Sequence, residues 1–104
     1  MIVKMQQIRI WVPSKHSVLA SYLMKQIITI VGGGTNFQRQ EGWWINGKGI
    51  RTREAIDIWE FIVPSGGKHK EVEDTLDKLV KVLHDAGEES VLITHTSIDR
   101  VEFK

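Results

Sequence analysis

Cysteine is absent from the 104-residue chain. That excludes a disulfide scaffold, a thiolate metal cage and a cysteine nucleophile. Long apolar runs are missing as well: the longest, Ile27 to Val31, is interrupted by Thr29, whereas a membrane-crossing helix needs about 20 residues. Neither sign of charge is in excess, with 14 Lys+Arg against 13 Asp+Glu and a net charge of +1, so nothing global draws the chain to nucleic acid or an anionic lipid surface. The segment from Met1 to Gln7 has neither the apolar stretch nor the small-residue cleavage site of a secretory leader, and a cytoplasmic location is the expectation. What remains is 41% hydrophobic and 26% charged, near globular averages. The length closes one core but not two, so a single domain over residues 1–104 is expected, with a radius of gyration of about 13 Å.

Glycine-rich punctuation divides the chain into periodic segments. Met5 to Val12 alternates, with Ile8, Ile10 and Val12 on one face and Gln7, Arg9 and Trp11 on the other, which predicts a strand. Ser14 then stands where an N-cap belongs, ahead of a helix from Lys15 to Val31 whose apolar positions include Leu19, Tyr22, Leu23, Ile27 and Ile30. Gly32-Gly33-Gly34 follows, and glycine suits the left-handed cap that ends a helix. Asn36 to Trp44 reads as a second strand with Phe37, Arg39, Glu41 and Trp43 on one face. Asn46-Gly47 is a hairpin signal of the primed-turn kind, and Ile50 to Val63 is a long third strand. His69 to Ala86 carries Val72, Leu76, Leu79, Val80 and Leu83 along one helical stripe, and Gly87 closes it. Ser90 to Thr96 reads as the fourth strand, with a short terminal one from Arg100 to Phe103. The order β-α-β-β-α-β, with right-handed crossovers, gives an α+β, ferredoxin-like domain: a four-stranded antiparallel sheet with two helices on one face.

The third strand does not fit a monomer of that fold. Ile56, Ile58 and Ile62 share one face with Glu60, and Ala55, Trp59, Phe61 and Val63 share the other with Asp57, so both faces ask for burial while helices cover only one. Trp11, on the polar side of the first strand, adds to the excess. A large exposed apolar patch marks an interface, and self-association through the sheet is the expectation, seated on Phe61 or Trp59, whichever faces outward. The alternative is that the C-terminal segment folds back over the free face. Glu60, between isoleucines, needs a partner such as Arg9 or Arg100.

Arg39, Lys48, Arg51 and Arg53 gather on the hairpin against Glu41, beside Trp43 and Trp44. Arginine binds phosphate or carboxylate bidentately and tryptophan offers a flat apolar ring. Arg39, Trp43, Trp44, Arg51, Arg53 and Glu60 are therefore the candidate ligand-binding residues, for a small anionic ligand with a nucleotide as the simplest case. A solvated charged ribbon guarding a sheet edge accounts for the same hairpin residues without a ligand. The triple glycine would be an anion nest or only a cap; its place at a helix C-terminus and the absence of a P-loop Lys-Ser/Thr favour the cap. His16, His69, His84 and His95 lack metal-ligand spacing, and no metal, cofactor or catalytic residue is assigned.

Gly33-Gly34-Thr35, Gly42-Trp43, Gly47 or Gly49, Glu54, Glu60 and Glu89-Ser90-Val91 together resemble a pattern in a group of small uncharacterised ferredoxin-like proteins. There a Gly-Gly-x-Thr turn leads to a Gly-x-Trp hairpin, a returning Glu and a Glu-Ser-Val entry to the last strand. The resemblance covers about residues 32 to 103 and implies the fold; it departs at Trp43-Trp44, where that group usually has one tryptophan. More distantly the layout is similar to PII-like signalling proteins and to the copper-tolerance-type trimers, which assemble by their sheets. Three functional readings follow. The first is a binding or regulatory module that self-associates and holds a small anion or nucleotide at the subunit interface with hairpin residues. The second is a nucleic-acid-binding protein using the Arg/Trp hairpin, and the third a small enzyme using Glu54 or Glu60 with His95 as acid or base.

Overall fold

Alternation sets the first strand: Ile8, Ile10 and Val12 are fully buried while Arg9 between them is exposed. The computed structural model describes residues 5–64, 68–99 and 101–102. Its elements are β1 (Met5–Pro13), a 3-10 turn (Ser14–His16), α1 (Ser17–Val31), β2 (Thr35–Ile45), β3 (Arg51–Pro64), α2 (His69–Asp85) and β4 (Leu92–Ile98). The strands form one antiparallel sheet in the order β2-β3-β1-β4. With both helices against one face, this is the ferredoxin-like β-α-β-β-α-β arrangement that the sequence predicts. The expected terminal strand does not form at Val101 and Glu102, and Arg100 and Phe103 lie outside the described residues.

The core lies between helices and sheet. Ala20, Leu23, Met24 and Ile27 from α1 and Val72, Leu76, Leu79 and Leu83 from α2 meet Ile8, Ile10, Val12, Trp59, Phe61 and Val63. The expectation that Leu19 and Tyr22 belong to the buried stripe of α1 fails: both are exposed, and Ala20 and Met24 take their place. Hydrophobicity ranked the bulky residues first, but the small Ala20 is fully buried in the core. The Trp59 and Phe61 rings stack with centroids 6.3 Å apart. Gly34 is held small by the same cluster, since a Cβ there would sit 2.6 Å from the Phe61 ring.

Both helix ends close with glycine. Gly32 adopts φ +92° and donates its N–H to the Ile28 carbonyl. At the end of α2, Gly87 donates to His84 and Glu88 to Leu83, which is the Schellman pairing. The start of α1 departs from expectation. Ser14 makes no capping bond and instead gives its hydroxyl to the Asp57 carboxylate at 2.7 Å, so the α-helix begins two residues later than a Ser14 cap would place it. The hairpin turn differs too. The positive φ falls on Gly49 rather than Gly47, Asn46 accepts the Gly49 N–H, and its side chain accepts those of Lys48 and Ile50. The asparagine thus organises a wider loop than a two-residue primed turn.

Beyond the Pro13–Ile56 pair β3 no longer meets β1, so from Glu41–Ala55 to Ile45–Arg51 the sheet is a two-stranded arm. The arm lengthens the molecule to 49 × 22 × 21 Å and raises the radius of gyration to 14.7 Å, above the roughly 13 Å expected of a sphere-like domain of this length. Among the described residues no helix is long and apolar enough to cross a membrane.

Candidate functional site: a basic cleft at the root of the arm

The second strand carries one residue too many. Phe37 pairs with Ile58 and Gln40 with Ile56, so three steps along β2 match two along β3. The extra residue makes a β-bulge, at which Arg39 has φ +53°, the one described non-glycine residue in the left-handed region. For an arginine that conformation is strained, and bulges of this kind re-aim side chains beside functional sites. The strain is held by Asp57. Its carboxylate is 4% exposed, and one oxygen accepts both the Arg39 backbone N–H at 2.9 Å and the Ser14 hydroxyl at 2.7 Å. A buried carboxylate satisfied in this way ties the bulge to the entrance of α1. Asp57→Ala is therefore expected to cost about 2–3 kcal/mol in urea unfolding, and Asp57→Asn, which keeps an acceptor oxygen, under about 1 kcal/mol. Equal losses would show that the carbonyl-like acceptor is not what matters.

Next to the bulge is an open cleft of about 700 Å³ between α1 and strands β2 and β3. From α1 and the turn before it come Ser14, Lys15, Ser17, Val18, Ser21 and Lys25, spaced so that one side of the helix faces the cleft. From the sheet come Asn36, Gln38 and Arg39 of β2, and Ala55, Asp57 and Trp59 of β3. Three cations face one carboxylate, and that carboxylate already has two donors. Lys15 also reaches the Glu88 carboxylate at 3.5 Å, whereas Lys25 and Arg39 have no ion-pair partner among the described residues. Serine hydroxyls supply donors beside them. The Asn36 Oδ1 atom behind them is buried without a hydrogen-bond donor. The arrangement suits an anionic group.

The six residues picked from the sequence fall in different places. Arg39 is at the bulge and lines the cleft. Trp43 pairs with Arg53 and Ile45 with Arg51, and by register these lie on the same sheet face as Ala55 and Asp57, continuing it out along the arm. Glu41 fastens this ribbon, accepting the Trp43 indole N–H at 2.7 Å with Arg53 at 3.9 Å. Trp44 pairs with Thr52 on the opposite face, so the two tryptophans are not one platform. The bulge is also why Phe37 does not share a face with Glu41 and Trp43, as strict alternation predicts. Glu60 is on the far face, bound to Arg9 at 2.8 Å and Gln7 at 3.0 Å. The pairing expected for it is present, but the Arg9 side chain is 45% exposed, so the pair contributes about 1 kcal/mol or less. Register also separates Glu60 from His95: Glu60 pairs with Arg9, and His95 with Ile8 on the helix side. The acid–base couple imagined between them is not assembled.

Lys15, Lys25 and the serines escaped sequence reasoning because attention to apolar periodicity treats Ser17, Ser21 and Lys25 as solvent. Their own spacing of four residues was the available signal.

No family model matches the sequence, and no curated protein is detectably similar to it. Solved structures share the fold. CutA1, a divalent ion tolerance protein from Ehrlichia chaffeensis, superposes with a TM-score of 0.66 at 7% identity, covering 96% of this chain and 86% of that one. CPII, a nitrogen regulatory PII-like protein from Thiomonas intermedia bound to ADP, AMP and bicarbonate, gives 0.59 at 17% identity over 100% of both chains. A Bacillus cereus protein related to NIF3 gives 0.61 at 16% identity; the match covers 96% of this chain but only 27% of that protein's length. At such identities the likeness is one of fold. The distant resemblance to PII-like proteins thus holds at the level of architecture.

Proposed function

We propose that the chain is a small binding module that takes an anionic ligand in the basic cleft, with the arm as its outer wall. The observation that carries this reading is Arg39, kept in a strained backbone conformation by a buried carboxylate and set beside Lys15 and Lys25. Strain of that kind, opposed by a specific buried bond to the backbone, is what a binding site uses to set the direction in which a side chain leaves the chain. The ligand that best matches the wall is a nucleotide: phosphates for Lys15, Lys25 and Arg39, ribose hydroxyls for the Ser17 and Ser21 hydroxyls. A PII-like protein of the same fold is described as bound to ADP and AMP, which supports the choice of class. Isothermal calorimetry with ADP is expected to give a saturable site for each chain. A flat titration with ADP, pyrophosphate and phosphate alike would contradict it, and binding of single-stranded RNA with a steep salt dependence would favour the nucleic-acid reading instead.

Self-association through the sheet belongs to the same proposal, on a corrected surface. Trp59 and Phe61 face the helices and are buried, so neither is available to a partner. The face away from the helices instead carries Phe37, Ile58, Trp11 and Leu92, paired in one row across all four strands. Beside it runs a polar row of Thr35, Glu60, Arg9 and Thr94. A surface that offers both signs of charge next to an apolar row complements a second copy of itself. Light scattering is expected to return a multiple of 11.9 kDa, and Phe37→Glu to bring it down to the monomer. A parent protein that is monomeric at micromolar concentration would rule this surface out.

A further inference from the structure

At the end of the free face nearest the arm is a second cavity, of about 430 Å³, within the size range of small-molecule sites. Its chemistry is the reverse of the basic cleft. Trp11 of β1 and Trp44 of β2 form aromatic walls, and Ile56 forms an apolar floor. That floor is fixed by a glycine: a Cβ on Gly42 would collide with the Ile56 side chain, so Ile56 is 2% exposed although it lies on the face without helices. Three carboxylates, Glu54, Glu88 and Glu89, stand around the opening, and no Lys, Arg or His is among the lining residues. Glu88 is already engaged by His16 at 3.0 Å and Lys15 at 3.5 Å. The Glu54 and Glu89 carboxylates have no hydrogen bond or ion pair among the described residues.

We infer that this pocket binds a small organic cation, a guanidinium or ammonium group on an apolar stem. Indole faces attract cations through the ring quadrupole, the free carboxylates supply charge-assisted acceptors, and Ile56 with Leu92 receives the stem. The pocket and the cleft lie on opposite faces of one sheet, joined through β3, which gives Glu54 and Ile56 to one and Ala55 and Asp57 to the other. Two ligands of opposite charge can therefore occupy one chain together.

The probe is butylguanidinium chloride, followed by tryptophan fluorescence and calorimetry, with N-butylurea as the uncharged isostere. Saturable binding of butylguanidinium is expected, with N-butylurea weaker by about tenfold or more. Glu54→Gln with Glu89→Gln should lower butylguanidinium affinity by about tenfold or more and leave ADP binding unchanged. Should the double variant fail to fold, Glu89→Gln alone, in an exposed loop, is read against the same expectation at about threefold or more. Equal binding of the two probes, or full affinity in the variants, overturns the proposal. If the parent ignores butylguanidinium while the variants lose self-association, the cation is a side chain of a second copy, and the free-ligand assignment is overturned.

Discussion

Phe61→Ala is expected to lower the unfolding free energy by about 3–5 kcal/mol, a large part of the roughly 5–15 kcal/mol that holds a small domain together. Phe61 is 1% exposed, packed among core residues from both helices and the sheet. Its ring lies parallel to that of Trp59 and fills the space that a side chain at Gly34 would occupy. Removing it leaves a cavity that those neighbours cannot close. Phe37→Ala is the control: at 43% exposure on the opposite face, it is expected to cost under about 1 kcal/mol in the monomer. Urea titrations read both, with an unchanged m-value confirming that the comparison is of stability. Similar losses at the two positions would mean that the two faces of the sheet are wrongly assigned.

Arg39→Gly combined with Lys25→Ala is expected to weaken ADP binding about 100-fold or more, since each charge-assisted contact is worth roughly 1.5–3 kcal/mol and 1.4 kcal/mol is a factor of ten. Stability should hold within about 1 kcal/mol or rise. Neither side chain has an ion-pair partner among the described residues, and glycine accepts the positive φ of position 39 without a Cβ clash. The combination separates binding from folding: lost affinity with an intact unfolding midpoint places the ligand at the cleft. Retained affinity removes these two cations from the site.

The fold was legible because its periodicities are clean where burial is one-sided. Ile8, Ile10 and Val12 alternate, Val72 to Leu83 follow a helical stripe, and glycines 32 and 87 sit where chains reverse. The third strand was legible only in part. Isoleucines on one face and aromatics on the other give no sequence-level reason to choose which meets the helices, and the choice rests on tertiary complementarity with Ala20 and Met24. The site was harder still. Arg39 was picked for its charge, but its position depends on a bulge, and one inserted residue moves every later side chain of β2 to the other face. Nothing local to residues 37–40 announces this. The group that holds it is Asp57, 18 residues away, which reads in sequence only as a carboxylate interrupting an apolar face. Strict alternation therefore set Trp43 beside Phe37, whereas the bulge puts them on opposite faces; Trp43 and Trp44, being adjacent, face opposite sides in either register.

Amide and indole chemical shifts during an ADP titration test the cleft most directly. The account predicts saturable shifts at Lys15 to Val18, Asn36 to Arg39 and the Trp59 indole, with a common affinity, and no change at Trp11 or Glu89 across the sheet. Shifts confined to the arm tip between Ile45 and Arg51, or none at any of these positions, would contradict it.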